Sequence, residues 1–292
     1  DIKRHVQNDA KDINSPMEIY IGDDYLNSMT VSPDEKYITF IVSNHPDNEP
    51  THVEEHVTKS GWTNPISARS KIGRKDATHK MGIFNIEANE VVYCAIDNLA
   101  GVLDKPEYLQ LYDKEDMEYE LPKNVVFHGP YFSEEGEAII EVKSYDNKDR
   151  WIAILNLKTG VLTQIEHQHD EAWIGGPGIS SWKGVPGNIG WLKDNKTVFF
   201  PSEETGYSHL YLYDTEKNKK KQLTEGKFEI HSAQLSKDGS KFYVSVNKTH
   251  AGNREFYHLG IKSKKWTSIL TEEGNYEVAV SQDEKYLAYR YS

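Results

Sequence analysis

Gly190-Trp191-Leu192-Lys193-Asp194-Asn195-Lys196-Thr197-Val198-Phe199-Phe200-Pro201-Ser202-Glu203-Glu204-Thr205-Gly206-Tyr207-Ser208-His209-Leu210-Tyr211-Leu212-Tyr213-Asp214 reads as three consecutive antiparallel strands. The polar turn Lys193-Asp194-Asn195 ends the first. Thr197 to Phe200 is a short apolar run, as expected of a strand covered on both faces. Glu204-Thr205-Gly206 supplies the next turn, with a glycine free to take a positive φ. The third strand alternates, with Ser208, Leu210 and Leu212 on one face and His209, Tyr211 and Tyr213 on the other. Asp214 opens a lysine-rich turn, and Lys221-Gln222-Leu223-Thr224 reads as a fourth strand. Four short meandering strands in about 40 residues form one blade of a β-propeller.

The strand–turn–strand phrase recurs at Val31-Ser32-Pro33-Asp34, Phe132-Ser133-Glu134-Glu135, Leu235-Ser236-Lys237-Asp238 and Val280-Ser281-Gln282-Asp283, each followed by an apolar strand. The turn acids at 34, 135, 194, 238 and 283 are spaced 101, 59, 44 and 45 residues apart. The two short spacings fit uninterrupted blades. The longer ones predict insertions near 45–80, 98–124 and 166–187. A second hairpin follows each phrase, as in Lys80–Ile86 with Val91–Tyr93, Arg150–Leu157 with Val161–Leu162, and Phe256–Ile261 with Trp266–Leu270. The expected fold is all-β, with about four full blades plus partial blades in a single propeller domain over 1–292. Residues 1–16 are polar and aperiodic, and Met17–Ile21 reads as a strand.

An open propeller leaves apolar blade faces wet, at a cost of roughly 10 kcal/mol for several hundred Å². The chain is therefore expected to be part of a longer propeller. Alone, it is expected to self-associate through its terminal blades, or to close by pairing Met17–Ile21 with the strands near 285–291. The first residue is not Met, which points to a cut or mature product.

Composition narrows the function. The 292 residues are 37% hydrophobic and 27% charged, with eighteen Tyr and four Met, which suits a strand-rich globular protein. No apolar run approaches the roughly 20 residues of a membrane span. A net charge of -12 argues against nucleic acid as a partner. The basic run Lys217–Lys221 reads as a solvated hairpin. Cys94 is the only cysteine, so there is no internal disulfide and no cysteine-based zinc site. Its neighbours are apolar, and it reads as a small buried residue rather than a reactive thiol.

Four stretches carry a family resemblance. They are His56–Thr63 (HVTKSGWT) with Arg69–Gly73 (RSKIG), Asp146–Trp151 (DNKDRW), His169–Gly175 (HDEAWIG) and Ser202–Tyr211 (SEETGYSHLY). Together they resemble the N-terminal β-propeller of the dipeptidyl peptidase IV-type, prolyl oligopeptidase-like serine peptidases. The resemblance covers roughly residues 17 to 292. It implies a periplasmic or extracellular protein whose catalytic α/β-hydrolase domain follows the propeller. The nucleophile of that domain sits in Gly-x-Ser-x-Gly. Here Gly206-Tyr207-Ser208-His209-Leu210 comes nearest but ends in Leu and lies in a β-hairpin, and Gly178-Ile179-Ser180-Ser181-Trp182 also fails. The hydrolase domain is therefore expected to be absent from this chain, with no catalytic residue in it. The propeller would wall the active-site cavity and admit short peptides. A stand-alone propeller acting as a binding or scaffold module is the alternative.

In dipeptidyl peptidases of this family a propeller Glu pair holds the substrate's free amino terminus by charge-assisted hydrogen bonds. Glu203 and Glu204 are the candidates here, although the pattern around that family pair is missing. The plainer reading is a turn with exposed acids. His167 and His169 would face one side of a strand, as two metal ligands could, but no third ligand is evident and a polar loop explains them better. Ser208 and His209 are adjacent on a strand, so they point apart and cannot act as nucleophile and base. Gly175-Gly176-Pro177-Gly178 is loop punctuation, since no helix follows to complete a phosphate cradle. No metal and no cofactor is expected.

Overall fold

The computed structural model describes residues 18–47, 49–69, 75–105, 121–181, 185–270 and 272–292. The rest of the Arg69–Gly73 motif, most of 98–124, and the segments before Glu18 lie outside the described residues. The described chain contains strands and turns and no helix.

Four four-stranded antiparallel sheets follow one another. The first blade is β1 (Tyr25–Val31), β2 (Tyr37–Asn44), β5 (Thr78–Asn85) and β6 (Glu90–Tyr93), with the hairpin β3 (His52–Glu55) and β4 (Asn64–Ser67) inserted between β2 and β5. The second is β7 (Val125–Phe132), β8 (Ala138–Ser144), β9 (Asp149–Leu155) and β10 (Leu162–His169). The third is β11 (Gly190–Trp191), β12 (Thr197–Ser202), β13 (His209–Asp214) and β14 (Lys219–Gln222). The fourth is β15 (Ile230–Leu235), β16 (Lys241–Val246), β17 (Glu255–Gly260) and β18 (Trp266–Ser268). A two-stranded sheet of β19 (Tyr276–Val280) and β20 (Leu287–Tyr291) follows.

The repeated turn explains the hairpins. Ser32, Ser236 and Ser281 donate their hydroxyls to Asp34, Asp238 and Asp283 at 2.6, 2.6 and 2.7 Å. The residue after each turn acid takes the left-handed conformation: Glu35, Gly136, Asn195, Gly239 and Glu284, with φ from 56° to 91°. The local Ser–Asp bond and the positive φ together fix the reversal. A further copy closes β8 onto β9, where Ser144 donates to Asp146 and Asn147 has φ 61°.

Alternation along β8 assigns its two faces. Ala138, Ile140 and Val142 pack with Ile41, Met81 and Ile83 of the first blade, together with Trp151 of β9. Ile139 points the other way and packs with Ile152, Val198, Phe200 and Tyr211 against the third blade. All seven residues of β8 are buried, so its two charged residues, Glu141 and Lys143, are buried too. Phe199, Leu210, Phe242 and Val244 join the third blade to the fourth.

The structure corrects several expectations. Residues 18–21 form no strand, because a turn closes on Gly22 (φ 64°) and no neighbouring edge pairs with them. The ring closure expected between Met17–Ile21 and 285–291 is therefore not formed by the described residues, and β20 pairs with β19 alone. The fourth strand of the third blade starts at Lys219, two residues before the expected Lys221, because Asn218 (φ 51°) completes the turn early. The basic run is not wholly solvated, since Lys220 bonds Glu166 and Glu204. Residues 166–169 belong to β10 rather than to an insertion or a polar loop, held by pairing from Glu166 with Ile152 to His169 with Asp149.

Candidate functional site

The polar chemistry gathers where β8, β10 and β12 end and β9 begins. In β9, Asp149 and Trp151 point toward the first blade and Arg150 toward the third, as the period of two requires. Asp149 is 1% exposed and accepts three bonds, from Lys123 Nζ at 2.6 Å, His167 Nε2 at 2.9 Å and His169 Nδ1 at 2.7 Å. Burial alone would raise its carboxyl, but the bonds from His167, Lys123 and His169 prevail and hold it at about 2. Burial opposes protonation of His169 as well, and the bonds to Asp149 and Glu171 prevail and raise it. The His167 ring lies flat on Trp151, with centroids 5.4 Å apart and planes 5° apart.

On the other face of the second blade, Arg150 and Glu141 form a fully buried ion pair. Arg150 Nη1 also donates to the carbonyl of Pro201 in the third blade at 2.6 Å. Lys143 Nζ donates to the Ser180 carbonyl at 3.2 Å. The described residues of 170–181 and 185–189 thus cross the end of the second blade and are fixed at several points. Asp170 accepts the Ala172 and Trp173 amides at 2.7 and 3.0 Å, Ile174 donates its amide to the Asn147 carbonyl at 2.9 Å, and Ser208 donates its hydroxyl to the Pro177 carbonyl at 2.7 Å.

Between this segment and the β12–β13 turn lies a cleft of about 540 Å³ lined by His167, His169, Asp170, Trp173, Glu203 and Glu204, among others. The structure therefore brings the candidate acids together with both histidines. It also separates the two glutamates by role. Glu204 bonds Lys220 at 2.6 Å, and Lys220 in turn bonds the nearly buried Glu166 at 3.0 Å. Burial raises the Glu166 carboxyl, with Lys220 opposing. Glu203 turns inward and accepts the Gly176 amide at 3.2 Å. That approach needs a glycine, since a Cβ on Gly176 would sit 2.1 Å from Glu203 Oε1. A Cβ on Gly175 would sit equally close, 2.2 Å, to Trp173 Nε1. Gly175-Gly176 thus lets an indole and a carboxylate lie directly on the backbone.

Ser208 and His209 serve the scaffold. His209 is 1% exposed, with Nδ1 3.0 Å from Thr224 Oγ1 and Nε2 3.0 Å from the Gly226 carbonyl. The Gly226 carbonyl can only accept, so His209 donates to it through Nε2, and Thr224 Oγ1 also accepts the Leu210 amide at 3.0 Å. Among the described residues no group of three or more His, Cys, Asp or Glu has the arrangement of a metal site. No helix of the described residues is long and apolar enough to cross a membrane. The Asp149 hub and the Glu141–Arg150 pair escape a linear reading. Their only sequence signal is the charged start of a strand whose remainder is apolar, Asp149-Arg150 before Trp151-Ile152-Ala153-Ile154-Leu155.

Residues 24–292 match the family model of the dipeptidyl peptidase IV (DPP IV) N-terminal region. The chain belongs to that family. Its fold is similar to the crystal structure of Porphyromonas gingivalis dipeptidyl peptidase 4, with a TM-score of 0.64 and 14% identity over 90% of this chain and 33% of that one. A Bacteroides ovatus ATCC 8483 protein assigned as a dipeptidyl aminopeptidase IV gives a TM-score of 0.61 and 14% identity over 90% of this chain and 36% of that one. This DPP IV N-terminal region thus spans about a third of the length of the solved structures it matches.

Proposed function

We propose that this chain is the non-catalytic propeller of a DPP IV-like serine peptidase, that it walls one side of the active-site cavity, and that it restricts entry to short peptides. The observation that carries this reading is the family match across residues 24–292. The cleft between the second and third blades supplies chemistry that suits it. Glu203 is the better placed of the two acids for a substrate's amino terminus, because Glu204 is already engaged by Lys220. Asp170, on the same cleft, adds negative charge. An ammonium group held there would gain charge-assisted hydrogen bonds. Catalysis would come from an α/β-hydrolase domain of the parent protein, in the periplasm or outside the cell.

The test is enzymatic, on the full gene product. Glu203→Gln is expected to raise KM for substrates with a free amino terminus while leaving amino-blocked substrates unaffected. The isolated chain is expected not to turn over dipeptidyl chromogenic substrates. A coding sequence that continues beyond Ser292 without Gly-x-Ser-x-Gly would favour a propeller acting as a binding module instead.

A further inference from the structure

His169 ends β10 at the wall of the cleft beside Glu203, and each of its ring nitrogens faces a carboxylate. Nδ1 lies 2.7 Å from Asp149 Oδ1, and Nε2 lies 3.0 Å from Glu171 Oε1. An ionised carboxylate only accepts, so both bonds exist together only when the ring carries two protons. Asp149 is held at about 2 against its burial, and the bonds from His169 and Lys148 hold the Glu171 carboxyl below its ordinary range, so both are ionised near neutral pH. The imidazolium thus joins the second blade to the turn that follows β10. Asp170 and Trp173, on either side of Glu171 in that turn, line the cleft.

We propose that His169 is a pH-operated latch on this wall: doubly protonated, it fastens the turn at 170–173 to the second blade, and on losing one proton it lets go of Glu171 and the turn loosens. Burial decides which bond breaks. Asp149 is 1% exposed, and an unmet bond there would cost more than one at Glu171, which is exposed to water and keeps Lys148 at 3.0 Å. The amides of Asp170 and Ile174 donate to the Lys148 and Asn147 carbonyls at 2.9 Å each, and these two bonds do not titrate, so release loosens the turn without detaching it. The acids around the ring favour its charge: Asp149 and Glu171 in contact, Asp170 beside them, and Glu203 and Glu204 across the cleft. Lys123 on the other Asp149 oxygen and Lys148 on Glu171 oppose it, and the His167 ring, 6.4 Å away, shares the Asp149 oxygen. Burial opposes the charge too, and the bonds to Asp149 and Glu171 outweigh it. The latch is closed in acid and released as pH rises through the folded value, which lies above the ordinary 6.5. It needs no peptidase activity, so failure of the peptidase reading would leave it standing.

The experiment follows two signals of the full chain: the ring ¹⁵N resonances of labelled histidine, and hydrogen exchange at the amides of Ala172, Trp173 and Ile174. Near about pH 6.5, where a free histidine is half charged, more than half of the His169 rings are expected to be doubly protonated. Between about pH 5.5 and about pH 9 the protection of the three amides, corrected for the intrinsic exchange rate, should fall roughly two- to fivefold, the range for one partly exposed ion pair. The amides of β16, in the fourth blade, should not follow that profile. Glu171→Ala, at an exposed position, should keep the His169 bond to Asp149 and abolish the fall. His169→Gln should hold the three amides at the alkaline level at both pH values. A His169 ring that is neutral near about pH 6.5, protection in the wild-type chain that does not vary with pH, or the same fall in Glu171→Ala would each overturn the proposal.

Discussion

Arg150 and Glu141 sit side by side on adjacent strands of the second blade with no exposed surface on either side chain. Each also keeps one orphan atom, Nη2 of Arg150 and Oε2 of Glu141. Arg150→Met should cost about 3–5 kcal/mol, because it strands a buried carboxylate. The double variant Arg150→Met, Glu141→Leu should recover most of that loss. Urea unfolding of both single variants and the double variant checks this, and strictly additive losses would count against it.

Protonation of His169 should stabilise the fold. Its folded value lies above the ordinary 6.5, so its contribution is complete below that value and fades as pH rises through the folded value. Asp149 works in the opposite sense: its carboxyl is held at about 2 against an ordinary 3.8, so its contribution is present above 3.8 and is lost as pH falls through 2. The gap in Tm between the wild-type chain and His169→Gln should therefore be wider near about pH 5 than near about pH 8.5. An equal gap at both would contradict this.

Cys94 packs against the core shared by the first two blades, and burial pushes its thiol up to about 12. It should react with aromatic disulfide reagents at neutral pH roughly a thousandfold more slowly than a free cysteine. Rapid labelling of the native chain would show that this corner opens.

Gly176→Ala places a methyl group where the Glu203 carboxylate lies. Glu203 sits at the end of a flexible side chain and can move, so the fold should lose no more than about 1 kcal/mol. Any function of Glu203 should suffer as it does in Glu203→Gln, and the two effects should not add.

Tyr289 and Tyr291 of β20 are 55% and 47% exposed, and Tyr286 in the turn before it is 72% exposed. The isolated chain is expected to self-associate through this apolar sheet. Light scattering behind a sizing column tests it, with a strict monomer at all concentrations as the contrary result.

The blades are legible in the sequence because both their signals are local. A period of two marks the strands, and a turn acid marks the reversal, with a serine two residues before it at every copy except Asp194, where Leu192 stands instead. Glu203 and Glu204 are legible as a pair of acids in a turn, but their division between Gly176 and Lys220 is not, since it depends on how the segment 170–181 folds across the second blade. The Asp149 hub gathers Lys123 from the segment before β7 and His167 and His169 from β10. Such convergence follows from register and blade packing, which no short window of sequence contains. Residues 18–21 mislead for the reverse reason: they have the composition of a strand and no edge to pair with.

The serine–acid reversal described above has a consequence for how such a chain can change. Each copy carries its own geometry within about six residues, so a hairpin keeps its register whatever is attached at its far end. The β3–β4 arm emerges at the far end, between β2 and β5, where Asn44 still pairs with Thr78 as though nothing intervened. An insertion of this length is thus carried there without a change of register in the blade. In the first blade the reversal locks the β1–β2 end and leaves the β2–β5 end to carry the arm, whereas in the second blade a copy of the same reversal, Ser144 with Asp146, closes the β8–β9 end as well.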